Sequence, residues 1–454
     1  MRTLDFWVGI PLTFFLTAID RVLRMFGLAA SPDGRPRNIL FMQLAEMGTM
    51  VVAYPSLRKA RELFPDATLH FLCFTQIRSS VEMLEMISAE NIVTIDSDSV
   101  ASFVRDTVAF ARRARQLRID TVIDMEAFVR YSSVLSYLSG ARRRVGFHRF
   151  NQEGLYTGDL LTHKVHYNAH VHAAHSFLDL VHALVAPDDQ VPRVKRPRAM
   201  DNLEVPGIRT DANTASDIWR KLRAIDGDVG PARKLVVLNP NSSARFPMRR
   251  LPLDSFTELA RTLLEDPAVF LLITGVASER PDAQYICSRI GSRRMLDLTG
   301  RTTLKELLHL FNLAHVLVTS DSGPAHFAAL TRIHVVVFFG PETPERYKPL
   351  TTRLDVVHTG YTCSPCIGPH NQRLSPCNDN QCMKRISVQD VAVLVRARLE
   401  TAWSSTALAS QRDRDSDQNH AEHHHAEPRP ERVVPAMARQ PGSGHEQHHE
   451  GNEV

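Results

Sequence analysis

The sequence predicts an α/β protein built as two parallel-sheet halves that face a central cleft. Three observations carry this expectation. Short apolar runs bounded by turn residues alternate with helix-like stretches. The alternation breaks at a segment rich in Pro and charge, near residues 186–233, and then restarts. In both halves, polar residues with chemical use stand directly after strand-like runs. Strands joined through helices pair in parallel, with helices on both faces of the sheet. Open sheets of this kind bind ligands beyond the carboxyl ends of their strands.

The elements follow in order. "ILFMQL" (Ile39–Leu44) reads as a buried strand, "AEMGTM" as a turn and "VVAYPSLRKARELF" as a helix. "ATLHFLCF", "NIVTID" and "DTVIDME" are further strands, separated by "IRSSVEMLEMI" and "VASFVRDTVAFARRARQLRI" as helices. After the break, "KLVVLNP", "AVFLLITG", "MLDLTG", "HVLVTS" and "HVVVFFG" are strands with helices between them. A chain of 454 residues exceeds one ordinary domain. The boundaries expected are 1–30, 31–37, 38–200, 201–403 and 404–454. Hydrophobic residues make up 43% of the chain, enough for sizeable cores. A net charge of +4 is too small at this length to argue for nucleic acid, and suits an anionic substrate or membrane surface.

Residues 1–30 open on an apolar run, "FWVGIPLTFFLTAI" (Phe6–Ile19). Fourteen helical residues span about 21 Å, short of the roughly 30 Å hydrocarbon core of a bilayer. Extending the helix brings in Asp20, Arg21 and Arg24. An interfacial anchor is therefore expected, set against a signal peptide or a buried helix. At the other end, residues 404–454 are polar and hold seven histidines between His420 and His449. That composition predicts a disordered, solvated tail.

Three stretches bear chemistry. "SDSGPAHFAAL" (Ser320–Leu330) leaves a strand and enters a helix. Asp321 stands at the strand end, and Ser322, Gly323 and Pro324 open the helix, where free N–H groups receive phosphate. Ordinary helix capping by Asp or Ser is the plain alternative. "LNPNSSARFPMRRLPLDSF" (Leu238–Phe256) offers the hydroxyls of Ser242 and Ser243 and the guanidiniums of Arg245, Arg249 and Arg250. Guanidinium forks match phosphate oxygens. "LAEMGTMVVAYP" (Leu44–Pro55) puts the Glu46 carboxylate at the mouth of the first strand, with Gly48 permitting close backbone approach.

With these residues in view, the chain resembles glycosyltransferase family 9, the heptosyltransferases of lipopolysaccharide inner-core synthesis, over roughly residues 37–400. The resemblance rests on "EMGTMVVAYP", "RRLPLDSF", "LLITG" with a following acid, "LTGRTTLKEL" and "TSDSGPAHFAAL…FFGPETP". It implies a GT-B fold: two Rossmann-like halves, with a nucleotide-sugar donor on the second and the acceptor on the first. It implies inverting, metal-independent transfer of a heptose-like sugar from an ADP-heptose-like donor to a lipid-linked envelope glycan. It further implies that Ser242, Ser243 and Arg249 hold the diphosphate, and that Asp321 holds sugar hydroxyls. Ser322, Gly323 and His326 would complete the phosphate cradle, and Glu279 and Thr302 would meet the ribose and base. The family's general base resembles an Asp directly after the Gly of the first turn. Here that position is Thr49, which is no base near neutral pH, so Glu46 is expected to take the role.

Four cysteines, Cys363, Cys366, Cys377 and Cys382, stand in a C-x2-C-x10-C-x4-C pattern. Such a set suits a structural tetrahedral zinc or a loop of free thiols. The histidines of "HKVHYNAHVHAAHSFLDL" read as packed or surface residues of a helix-like run. The main expectation is a glycosyltransferase peripheral to the cytoplasmic face of the inner membrane. Set against it are a GT-B sugar-nucleotide epimerase and a nucleotide-sugar-binding protein without a base.

Overall fold

The computed structural model describes residues 2–27, 34–150, 154–242, 246–371 and 373–403. Ser243, Arg245, part of the expected linker and the histidine-rich tail lie outside the described residues. The first half is a six-stranded sheet of β1 (Asn38–Met42), β2 (Thr68–Phe74), β3 (Ile92–Ile95), β4 (Thr121–Asp124), β5 (Arg143–His148) and β6 (His163–His166), in the order β3-β2-β1-β4-β5-β6. All its pairs are parallel. The second half repeats the plan with β7 (Lys234–Asn239), β8 (Val269–Ile273), β9 (Met295–Asp297), β10 (Val316–Ser320), β11 (His334–Phe339) and β12 (Leu354–His358), ordered β12-β11-β10-β7-β8-β9 and again parallel.

The apolar runs form these strands because both faces of each sheet are covered. Every residue of β8 and β10 is buried, as are Ile39, Leu40, Phe41 and Met42 of β1. In each sheet the order reverses between two central neighbours, β1 and β4 in one and β7 and β10 in the other. Those two crevices are where open α/β sheets bind ligands. The halves also share core. Leu308, Phe327, Ala329 and Leu330 of the second pack into the cluster built on β1 and β2.

Three strands were not expected from the sequence: β5, β6 and β12. The histidine run is corrected most. His163–His166 is an edge strand, and the helix begins only at Ala173, with the His172 ring accepting from the Ala174 N–H. The spacing of His166, His170, His172 and His175 therefore lies on no common helix face.

The N-terminus folds as α1 (Arg2–Trp7) and α2 (Gly9–Met25). Residues Asp5–Met25 are long and apolar enough to cross a membrane by length and composition. The helix pair is nevertheless docked on the first half. Gly9, Thr13, Thr17 and Asp20 face inward and are buried. Thr17 Oγ1 accepts from the Asp159 N–H at 2.9 Å, Asp5 pairs with Arg130 at 3.0 Å, and Asp20 pairs with Arg144 at 3.4 Å. Gly158, at φ +83°, lets the backbone lie against Thr13 and Thr17. The outward face carries Trp7, Phe14, Phe15, Met25 and Phe26, all exposed. Thr13, Thr17 and Asp20 point to the protein and the aromatic residues away from it, while Arg21 and Arg24 are exposed near the end of the helix.

Candidate active site

After β1 the chain turns through Glu46 and Gly48 into α3 (Thr49–Leu63). The Thr49 hydroxyl donates to Glu46 Oε2 at 3.1 Å, and its N–H donates to the Glu46 carbonyl. The other Glu46 oxygen is ion-paired with Arg373, which reaches across from the second half. Beside this turn, at the end of β4, Asp124 is buried and accepts from Ser132 Oγ at 2.7 Å. Burial holds its carboxyl well above the usual range, and the Ser132 hydrogen bond opposes that rise. Glu126 accepts from Gln43 Nε2 and from the Leu44 N–H.

Across the crevice, three charged side chains converge. Asp321 follows β10 directly, Glu342 follows β11 by three residues, and Arg249 closes the 3₁₀ turn after β7. Arg249 stands 3.3 Å from Asp321 Oδ2 and 2.9 Å from Glu342 Oε2, with its guanidinium 4.7 Å from the centre of the Phe246 ring. Arg373 Nε is 3.9 Å from the same Glu342 oxygen. Asp321, Arg249, Glu342, Arg373 and Glu46 thus form one chain of ionisable groups from half to half. Burial pushes the Asp321 carboxyl up, against the pull of Arg249. Burial raises Glu342 to about 8, with Arg249 opposing and Asp321 adding to the rise. Arg249 is itself buried, yet the two carboxylates hold its guanidinium more firmly charged than usual.

His326, one turn into the helix Gly323–Ala328, is also buried. Burial, and then the charge of Arg249, push its imidazole down to about 4. It is neutral at physiological pH and brings a hydrogen bond, not a charge, to any phosphate. His326 packs on the first half: a Cβ at Gly48 would lie 2.8 Å from its Cδ2 and 3.1 Å from the Gly323 Cα. The two turns meet because Gly48 carries no side chain.

Two buried polar atoms in this small volume, Arg249 Nε and His326 Nδ1, have no hydrogen-bond partner, and Asp321 Oδ2 has only its 3.3 Å ion pair with Arg249. Orphaned groups are costly in a protein interior, and two together mark a place where a ligand supplies the missing partners.

The remaining expected residues spread along the second sheet. Ser242 is buried and donates to the Phe246 carbonyl at 3.1 Å, shaping the turn that carries Arg249. Ser242 is described and Ser243 is not. The Ser322 hydroxyl lies 3.2 Å from Thr319 Oγ1, and Gly323 begins the helix. Glu279 follows β8, accepts from the Val276 N–H at 2.9 Å and is pushed up by burial. Thr302 follows β9 and is half-buried. Their loops touch at Gly300, where a Cβ would lie 2.8 Å from the Ala277 Cα. Since β9 is three strand spacings from β10, this end of the site lies roughly 14 Å from Asp321. Sequence reasoning missed Glu342 and Arg373 as site residues. Glu342 sits inside the quoted "FFGPETP"; no local pattern marks Arg373, whose φ of +56° turns it into the cleft.

Among the described residues, no group of three or more His, Cys, Asp or Glu is set to hold a metal. Cys382 is buried against Gly340 and Met383, whereas Cys363 and Cys377 are exposed. Burial, and then the other three cysteines, raise the Cys382 thiol. The thiols are neighbours without a common centre.

A cavity of about 1010 Å³ opens from this cleft into the first half. Glu46, Thr49, Gln43 and Arg373 line its polar part, and α2 and the helix Val100–Gln116 line the rest.

Known proteins are similar to this chain in sequence and in fold. The chain is 28% identical over 159 residues to lipopolysaccharide heptosyltransferase 2 of Escherichia coli K12, covering 32% of this chain and 45% of that protein. It is 25% identical over 166 residues to lipooligosaccharide heptosyltransferase 2 of Campylobacter jejuni, covering 35% of this chain and 49% of the relative. These matches span about half the length of the curated relatives. By structure, it overlays the E. coli ADP-heptose LPS heptosyltransferase II with a TM-score of 0.62 at 17% identity, covering 80% of this chain and 99% of that one. A family 9 glycosyltransferase of Veillonella parvula gives 0.61 at 17% identity, covering 82% and 99%. The fold is thus the two-domain fold of those enzymes. The family description "Glycosyltransferase family 9 (heptosyltransferase)" matches residues 107–374, more than half of the chain, and takes in Arg249, Asp321, His326, Glu342 and Arg373. The chain belongs to glycosyltransferase family 9.

Proposed function

We propose that this protein is an inverting, metal-independent glycosyltransferase. It moves a heptose-like sugar from an ADP-heptose-like donor to a lipopolysaccharide core or another lipid-linked envelope glycan. The observation that carries this reading is the buried polar cluster of Arg249, Asp321 and His326, in which Arg249 Nε and His326 Nδ1 lack hydrogen-bond partners. Asp321 Oδ2 accepts from sugar hydroxyls. Ser242, Ser243 and Arg249 hold the diphosphate, and His326 with Ser322 and Gly323 at the start of the helix completes its cradle. Glu279 and Thr302 meet the nucleoside.

In the reaction, an acceptor oxygen attacks the anomeric carbon while the bond from that carbon to the diphosphate breaks. Configuration inverts in the single displacement. The acceptor proton passes to Glu46, and the nucleoside diphosphate leaves with the electron pair. Glu46 has a free lone pair for this even while accepting from Thr49, since each carboxylate oxygen has two. Arg373 holds Glu46 before substrate arrives, and a diphosphate in the cleft competes for that guanidinium.

The helix pair α1–α2 supports placing the enzyme on the cytoplasmic face of the inner membrane, its aromatic face in the lipid and its polar face on the protein. The cysteine loop is given a structural part in this reading, with no metal in the chemistry.

The test uses full-length protein with a panel of ADP-, GDP- and UDP-sugars in calorimetry, and transfer to envelope acceptors by mass spectrometry. Glu46→Gln should bind donor like the parent and turn over about 10²–10⁴-fold more slowly, the usual worth of a positioned base. Thr49→Asp should be tolerated. Parent-like turnover in Glu46→Gln would remove Glu46 as the base; donor binding without transfer in the parent would favour a binding protein.

A further inference from the structure

The large cavity has a second part that sugar chemistry does not use. Away from Glu46 and Arg373, it is lined by Val8, which precedes α2, by Leu12 of α2, and by Phe103, Val104 and Val108 of the helix Val100–Gln116. The charged Asp5 in its wall is bound to Arg130 and accepts from the Tyr131 N–H, and Thr107 shares a hydrogen bond with the Tyr131 hydroxyl. The polar groups of this wall are therefore satisfied, and its surface is apolar.

Its mouth can be located. Val8, Leu12, Val104 and Val108 line the cavity and are at the same time exposed, by 51%, 38%, 55% and 44%. Val8 and Leu12 begin a stripe on α1–α2 that continues through Phe15, Ile19 and Val22, all exposed, at spacings that keep one helix face. Val100, Val104 and Val108 form a matching stripe of exposed residues four apart. The cavity therefore opens between two apolar stripes and runs inward to a carboxylate. A polar sugar gains nothing along such a path. Residues 404–454 of this chain are too polar to fill it.

We propose that this arm takes one hydrocarbon chain of the acceptor lipid, drawn from the bilayer between α2 and the helix Val100–Gln116, so that the attached hydroxyl reaches Glu46. This rests on the transferase reading for the identity of the head group, but chain binding is measured separately from it.

The experiment uses full-length protein and a series of n-alkyl phosphates of six to twelve carbons, below their micelle concentrations, displacing a fluorescent fatty acid. Each buried methylene should tighten binding about fourfold until the arm is full. Val104→Trp, at an exposed site that tolerates bulk, should weaken the longer chains at least tenfold and shorten the length at which affinity levels off. Val104→Ala should leave short chains unchanged. ADP affinity, read by calorimetry on the same samples, should not move in either variant. Affinity without length dependence, or a Val104→Trp protein that binds all chains like the parent, overturns the proposal. Loss of ADP binding in the parent would instead overturn the donor site and leave the chain result standing.

Discussion

Glu342 shows how much of this site is set by burial rather than by residue type. It lies at 2% exposure, 2.9 Å from Arg249, in contact with a second guanidinium and near a second carboxylate. Its folded-state value rises from the ordinary 4.5 to about 8. Below pH 4.5 folded and unfolded chains both hold this proton. Between 4.5 and 8 the unfolded chain releases it first, so the contribution of Glu342 to stability is lost as pH rises. His326 has the opposite sign: lowered to about 4, its contribution is present above 6.5 and lost as pH falls toward 4. Melting temperatures of the parent between pH 6.5 and 8 should therefore decline with a part due to Glu342. Glu342→Gln, which keeps shape without the titration, should flatten that decline. Equal slopes in parent and variant would show that the carboxyl does not titrate there. The same cluster makes Arg249 more than a phosphate ligand, because it also keeps two buried carboxylates in place. A loss of donor affinity in any Arg249 variant has to be separated from the cost of leaving those carboxylates unpaired.

At the scale of elements, the contact of the two glycine turns fixes the width of the cleft. A methyl at Gly48 would meet the His326 ring at 2.8 Å and, at 3.1 Å, backbone that cannot swing aside. Gly48→Ala should cost about 1–3 kcal/mol, as overpacking does, and should lower turnover by widening the gap between Glu46 and the donor site. Removing the ring with His326→Ala should restore part of the stability, so the two changes should couple. Strict additivity in thermal melts would show that the turns do not touch. Gly48 was legible in the sequence as a point of close approach, and so were the nine most apolar strands and the strand-end positions of Glu46 and Asp321. The rest was hidden for physical reasons. β5 ("RRVGFH") carries charge because Arg143 and Arg144 spend their guanidiniums on carbonyls and on Asp20, and β6 ("HKVH") because Lys164 pairs with Asp159. β12 is a half-exposed edge strand with little apolar signal. Arg373 comes from a loop distant in sequence from Glu46, and no spacing rule relates the two.

For the molecule as a whole, the proposed membrane surface is the outward face of α1–α2, and the docking of that helix pair puts the proposal in a form that can be tested. A free anchor could be cut away without harm to the rest. This one holds Arg130 and Arg144 through Asp5 and Asp20 and forms one wall of the cavity. Deleting residues 1–30 would leave two largely buried guanidiniums without those partners, so release from the membrane would be confounded with unfolding. The cleaner test changes only the outward face. Phe14 and Phe15 are exposed by 67% and 63% and lie on the surface directed away from the first half. Replacing both with Lys leaves Thr13, Thr17 and Asp20 in place. It removes two aromatic side chains that would each gain about 1.5–3 kcal/mol in the lipid boundary, and it adds charges costly to bury there. Phe14→Lys with Phe15→Lys should therefore move the protein to the soluble fraction in membrane flotation, with its melting temperature nearly unchanged and ADP binding intact. A double variant that still floats with vesicles would show that this face is not what holds the enzyme to lipid. A soluble but unfolded one would show that the two rings support the domain itself. Because the outward stripe leads into the cavity mouth, release should also slow transfer to an acceptor embedded in vesicles far more than to one presented in detergent.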